Sequence, residues 1–143
     1  MKSFDTNILI YASDEDCAEF ARAHALVEEA LKSPLEWILA DQVLFEFYKA
    51  LRNPRVFRNP LGAGEAMERV RFLREEAGFA HCAYETNFFS EAVDILAAES
   101  FPYQRTHDCI LSVTLRNAGV KILLTRNVKD FVGAGFEVVN PID

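Results

Sequence analysis

An α/β fold with a mostly parallel central sheet flanked by helices follows from three observations. Apolar runs short enough for strands alternate with amphipathic stretches of helical spacing, half of the 143 residues are hydrophobic, and no repeat or low-complexity linker interrupts the alternation. The matching organisation is one domain spanning residues 1–143, a length suited to a single core. Residues 2–5 read as the first strand. The run Ile8-Leu9-Ile10-Tyr11-Ala12 behind it suits either an extension of that strand or a new element. Apolar positions at Phe20, Ala23, Leu26, Val27, Ala30 and Leu31, with charges between, predict a helix over 18–32 that stops at Ser33-Pro34. A strand over 36–40 comes next. Helical spacing returns over 42–51 through Val43, Leu44, Phe47, Ala50 and Leu51 and breaks at Asn53-Pro54. Two prolines and two glycines mark 52–64 as a connector. A charged amphipathic helix is expected over 65–76, a strand over 79–84, and helices over 87–99 and 107–118, the last ending near Gly119. The β-rich run 120–124 reads as a buried strand, and 136–139 as the closing one.

Composition narrows the function classes. A net charge of −7 argues against a protein that grips nucleic acid through a broad basic face, while leaving open a nucleic acid held at a metal. Local basic groups at Arg52, Arg55 and Arg58, and at Arg69, Arg71 and Arg74, read as a solvated helix face and loop, or as the border of an acidic pocket. No apolar run approaches the roughly 20 residues of a bilayer span, and Met1-Lys2 leads straight to Asp5 without a signal-like segment, so the expectation is a soluble cytoplasmic protein. Cys17, Cys82 and Cys109 are odd in number and widely spaced, which speaks against a disulfide framework or a structural zinc.

The chemistry-bearing residues stand where apolar runs end. Asp5 lies in Phe4-Asp5-Thr6-Asn7, Glu46 in Leu44-Phe45-Glu46-Phe47-Tyr48, Asp108 in Thr106-His107-Asp108-Cys109-Ile110, and Asn127 in Leu124-Thr125-Arg126-Asn127. A carboxylate in apolar surroundings is strongly disfavoured unless paired, hydrogen-bonded or bound to an ion. Individually, Asp108 reads as a helix cap and Glu46 as a partnered or surface helix residue. Together, hard oxygen donors without a His/Cys cluster point to Mg²⁺ or Mn²⁺, which also relieves the mutual repulsion of three carboxylates. Such ions keep waters and recruit substrate phosphates, which suits phosphodiester hydrolysis.

On these residues the chain resembles PIN-domain ribonucleases, most closely the VapC-type toxins of toxin–antitoxin pairs. The resemblance rests on Phe4-Asp5-Thr6-Asn7-Ile8-Leu9, on Gln42-Val43-Leu44-Phe45-Glu46-Phe47-Tyr48 with Asn53-Pro54 after it, on Asp108-Cys109-Ile110-Leu111 opening a helix, and on Leu123-Leu124-Thr125-Arg126-Asn127-Val128-Lys129-Asp130-Phe131. It implies a three-layer PIN-like fold and a metal-dependent endoribonuclease that leaves a 3′-hydroxyl and a 5′-phosphate. It further implies RNA as substrate, a cognate antitoxin protein as partner, and a homodimer. Asp5, Glu46 and Asp108 would be the metal-binding carboxylates, directly or through water, with Thr6 orienting within the site. Asn127 falls where many members carry a fourth acid and completes the catalytic set. Asp130 is assigned to a turn or helix start at the rim, and Asn7 to the turn after the first strand. His107, neighbouring Asp108, points elsewhere on the helix, and His24 and His81 have no motif around them.

Two other readings differ in class. A PIN-like fold that has lost cleavage and serves as a binding or regulatory partner would account for Asn127 and the acidic charge. A phosphatase of the haloacid dehalogenase type needs a second Asp two residues after Asp5, where this chain has Asn7.

Overall fold

The computed structural model describes residues 1–143 and contains five short strands and six helices: β1 (Lys2–Phe4), α1 (Thr6–Ser13), α2 (Phe20–Lys32), β2 (Ile38–Ala40), α3 (Asp41–Leu51), α4 (Ala63–Arg71), β3 (Ala80–Cys82), α5 (Phe88–Leu96), α6 (Thr106–Asn117), β4 (Ile122–Leu124) and β5 (Glu137–Val139). The ambiguous run after β1 is helix. Asp5 caps it by accepting a hydrogen bond from the Thr6 backbone N–H at 2.7 Å, and so ends the strand at Phe4. The helix expected over 65–76 is α4 followed by a wider turn at Phe72–Glu76. α6 stops where Gly119 adopts a φ of 82°, a conformation costly for residues with a Cβ. Two further single turns, Tyr103–Arg105 and Val128–Phe131, precede α6 and follow β4.

Every strand pair is parallel. β4 lies between β1 and β5, with Phe4 opposite Leu124 and Leu124 opposite Val139, while Ala40 of β2 lies opposite Cys82 of β3. A bridge between Lys2 and Trp37 brings β1 beside the start of β2, so the spatial order runs β5-β4-β1-β2-β3. All three β2 residues are buried, as are Leu123 and Leu124 of β4, the signature of a parallel sheet covered on both faces. α1 packs on α2 and α3, α3 on α4, and α5 on α6. No helix is long and apolar enough to cross a membrane.

The apolar cluster draws residues from Phe4 to Ile142, with Phe4, Leu39, Leu51, Leu115 and Leu123 fully enclosed. Phe4 stacks on Trp37 with ring centroids 4.3 Å apart and thereby joins the two sheet segments. Because the strands are parallel, their carboxyl ends share one edge, where Asp5, Asp41 and Thr125 follow β1, β2 and β4 directly.

The Phe4→Ala variant should lose about 3–5 kcal/mol of stability through the cavity left against Trp37. Urea denaturation followed by tryptophan fluorescence measures this directly, and a loss below about 1 kcal/mol would mean the Phe4–Trp37 stack is not a main tie between the segments.

Candidate active site

Asp5 is 7 % exposed and Thr125 is fully enclosed, and the two meet at the ends of adjacent strands. The Asp5 N–H donates to the Leu124 carbonyl, which continues the β1–β4 ladder by one residue. The Thr125 hydroxyl donates to Asp5 Oδ2 at 2.7 Å and accepts from Asn7 Nδ2 at 3.1 Å and from the Asn127 N–H at 3.0 Å. Asn7 also donates to Asp5 Oδ2 at 3.3 Å and accepts from the Arg126 N–H, so it fixes the loop after β4 as well as the turn after β1. Thr125 is a site residue that sequence reasoning missed. Its signal is a hydroxyl closing the apolar run Leu123-Leu124, where only a hydrogen-bonded polar group is tolerated.

Glu46 reaches the same edge from α3. Its face of the helix is set by Val43, Leu44, Phe47, Ala50 and Leu51, which are buried, and it sits half-buried on the flank. Thr6 Oγ1 donates to Glu46 Oε2 at 2.7 Å, which gives Thr6 the orienting role expected of it. Gln42, one turn earlier, donates to Glu46 Oε1 at 3.1 Å and to the His107 carbonyl at 3.0 Å, tying α3 to the first turn of α6. Phe45, expected to enclose Glu46, instead faces outward and is 65 % exposed.

Asp108 sits in the first turn of α6, but its side chain does not cap the helix: Arg105 is the cap residue, and no side-chain capping bond is made there. The carboxylate is left free to face its neighbours. Burial first, and then the charges of Asp5, Asp130 and Glu46, push the Asp108 carboxyl up to about 6 against the opposing pull of Arg105. Burial also raises Asp5, opposed by the hydrogen bonds from Thr125 and Thr6 and reinforced by Glu46 and Asp130. Asp130, assigned by sequence to the rim, is therefore within electrostatic reach of both. Asn127 takes part through its backbone N–H and forms no side-chain hydrogen bond. The Val128–Phe131 turn carries Asp130 to the site, and Arg105 donates to the Asp130 carbonyl to hold that turn against α6.

None of Asp5, Glu46, Asp108 or Asp130 forms an ion pair. Arg126 spends its charge on Glu19 and Asp143, and Arg74 on Asp41. No three Asp, Glu, His or Cys side chains lie close enough together here to hold an ion among them. What fits a divalent cation is the donor chemistry: hard oxygens, carboxyls at Asp5 and Asp108 whose pKa burial and neighbouring charge push up, and no ion-paired base. Gln42 Oε1, buried without a partner, adds a demand for a donor that a coordinated water meets. His107 is exposed and enters the site through its backbone carbonyl only, while His24 stands near Glu28 on α2.

Comparison with known proteins identifies the family and the fold. The PIN domain family model matches residues 3–135. The sequence is 36 % identical to Ribonuclease VapC24 of Mycobacterium tuberculosis over 140 residues, 97 % of this chain and 94 % of that protein. Among solved structures, the Mycobacterium tuberculosis toxin VapC20, described as cleaving the sarcin–ricin loop, superposes with a TM-score of 0.69 at 17 % identity over 99 % of this chain and all of that one. A toxin–antitoxin complex from Klebsiella pneumoniae gives a TM-score of 0.60 at 23 % identity, covering 99 % of this chain and 98 % of that one. At these identities the structural likeness speaks for the fold alone.

Variants at Thr125 and Asp108 test the hydrogen bonding and electrostatics. Thr125→Val strands the Asp5 carboxylate and the Asn127 N–H and should cost about 1–3 kcal/mol, with Thr125→Ser recovering most of it in chemical denaturation. Because the folded Asp108 acidity is weaker than its ordinary value, the stabilisation it offers is full below its unfolded pKa of 3.8 and is lost as pH rises through about 6. In EDTA, the melting temperature of the parent should therefore fall relative to that of Asp108→Asn between about pH 4 and pH 7. Parallel curves would refute the crowding of charge.

Proposed function

The chain belongs to the PIN-domain family, and on that premise we propose that it is a metal-dependent endoribonuclease, the toxin of a toxin–antitoxin pair, hydrolysing RNA phosphodiester bonds with water. The observation that carries this reading is that the charges of Asp5, Glu46 and Asp130, from separate stretches of chain, all act on Asp108 at the carboxyl edge of a parallel sheet, with no basic side chain ion-paired to any of the four. Like charges held this close in a folded chain repel one another and are offset either by protonation or by a bound cation.

Asp5, Glu46 and Asp108 are assigned as the residues that would hold Mg²⁺ or Mn²⁺, directly or through water. When bound, such an ion supplies Lewis-acid polarisation of a phosphoryl oxygen and a lowered water pKa. Thr125 and the Thr6 N–H hold Asp5 in one rotamer, and Thr6 Oγ1 with Gln42 holds Glu46 in another, so the donor atoms are oriented before substrate arrives. Asp130 is the better candidate for the fourth acidic position, with Asn127 shaping the loop that delivers it. This revises the role that sequence gave to Asn127.

The same reading includes a cytoplasmic location, an antitoxin whose Arg or Lys enters the acidic site, and a homodimer. Phe89 and Val93, one turn apart on the exposed side of α5, offer an apolar face for a second copy. A PIN-like fold without cleavage would keep the partner and lose the ion dependence.

Purified, antitoxin-free protein should cut an RNA panel with Mn²⁺ or Mg²⁺ and stop in EDTA. Asp5→Asn, Glu46→Gln and Asp108→Asn should each reduce cleavage at least ~100-fold while melting as cooperatively as the parent. Asp130→Asn should lower the rate more than Asn127→Ala. Cleavage that survives all three carboxylate changes would sink the nuclease reading, and an intact partner complex without ion binding would favour the non-cleaving one.

A further inference from the structure

Beside Glu46, on the side away from Asp5, α3 and the segment after β3 enclose a groove of ≈ 640 Å³. The volume lies within the ~300–1,000 Å³ of small-ligand clefts. Gln42, Phe45, Glu46, Lys49, Tyr84 and His107 are among its lining residues. Two of these are aromatic rings held out in solvent, Phe45 at 65 % and Tyr84 at 57 % exposure. Tyr84 is already stacked on Phe88, with centroids 4.4 Å apart and planes 14° from parallel, which leaves its outer face as the open end of a preformed stack. Lys49 forms no ion pair, whereas the nearby acid Asp41 is held by Arg74 at 2.9 Å. Lys49 is thus the free positive charge of this groove, which it shares with the unpaired carboxylate of Glu46.

We propose that this groove is a nucleobase subsite, in which an unpaired base flanking the scissile phosphate stacks on Phe45 and Tyr84 while Lys49 meets the adjoining backbone phosphate. The proposal rests on the ribonuclease reading, and it adds where the substrate is gripped and what selects the cut position. Stacking on exposed rings is the way proteins hold unpaired RNA, because every base offers a π face whatever its hydrogen-bonding edge. The free lysine gives that grip its electrostatic share without a broad basic surface. Glu46 belongs to both the groove and the carboxylate cluster, so a base held here places the next phosphate against the acids. The polar lining of Gln42, Lys49 and His107 sets this groove apart in character from the apolar residues Phe89 and Val93 of α5, which suit a second copy better.

The test pairs two readouts on the parent, Phe45→Ala, Phe45→Trp, Tyr84→Ala and Lys49→Ala. The first is Mn²⁺-dependent cleavage of an unstructured RNA pool with the new 5′ ends sequenced. The second is quenching of single-stranded RNA carrying 2-aminopurine, measured on the same groove variants built into Asp108→Asn so that no cutting occurs. Each alanine variant should raise KM about tenfold and redistribute the cut sites, with kcat less affected, and should lose the quenching, while Phe45→Trp retains both. Unchanged KM, cut sites and quenching in the alanine variants would overturn the subsite. So would sedimentation showing a parent dimer that Phe45→Ala turns into monomer, since the face would then join two copies. Quenching without any metal-dependent cleavage by the parent would uphold the groove and refute the ribonuclease reading. Cleavage with no quenching would do the reverse.

Discussion

The hydrogen bond from Thr125 to Asp5 is where fold and site become one thing. It crosses from the end of β4 to the end of β1, and it closes a small network in which Asn7, Arg126 and Asn127 are placed by the same hydroxyl or amide. A hydroxyl there both accepts and donates, so it can satisfy the loop's N–H groups while holding a carboxylate oxygen. A buried carboxylate beside three others needs such support, because desolvation and like charge both oppose its ionised form. The strand register that puts Phe4 opposite Leu124 is what brings the two residues together.

From that point the remaining acids arrive by different routes. Glu46 comes from the middle of a helix whose buried face is fixed by its apolar residues, Asp108 from the first turn of α6, and Asp130 from a single turn after β4. Gln42 and Arg105 act as ties between these routes, the first joining α3 to the His107 carbonyl and the second joining the α6 start to the Asp130 carbonyl. The scaffold thus holds the oxygens of Asp5 and Glu46 with hydroxyl and amide donors and leaves those of Asp108 free. Under the proposed reading those free oxygens are the ones open to an ion.

Much of this was legible in the sequence, and the reasons are particular. Short apolar runs and period-3.6 patterns located the strands and helices because the parallel sheet is buried on both faces and the helices on one. The Asp5, Glu46 and Asp108 motifs stood out because acids are rare among apolar residues. What stayed hidden depended on three-dimensional placement. Ile8-Leu9-Ile10 is β-branched enough to pass for strand, and only the Asp5 cap turns it into helix. Thr125 looked like part of an apolar run, since a threonine's burial says nothing of what its hydroxyl holds. The proximity of Asp130 stayed hidden because a single turn at Val128–Phe131 brings its charge within reach of Asp5 and Asp108, and no periodicity announces a turn of that length.

The distribution of the arginines explains how an acidic chain can act on a polyanion. Arg74, Arg116 and Arg126 are paired with Asp41, Glu91 and Glu19, and Arg105 is turned to a backbone carbonyl. Each pairing cancels charge on the surface around the site but none cancels charge inside it. A free phosphodiester approaching the acids would be repelled, so under the proposed reading affinity for RNA comes from a cation at the cluster together with grips to one side of it. Under the proposed reading the same imbalance makes the site a receptor for a partner's guanidinium, which would compete with the ion for the same oxygens. Catalysis and inhibition then draw on one electrostatic deficit, and whichever cation fills it decides the state of the protein.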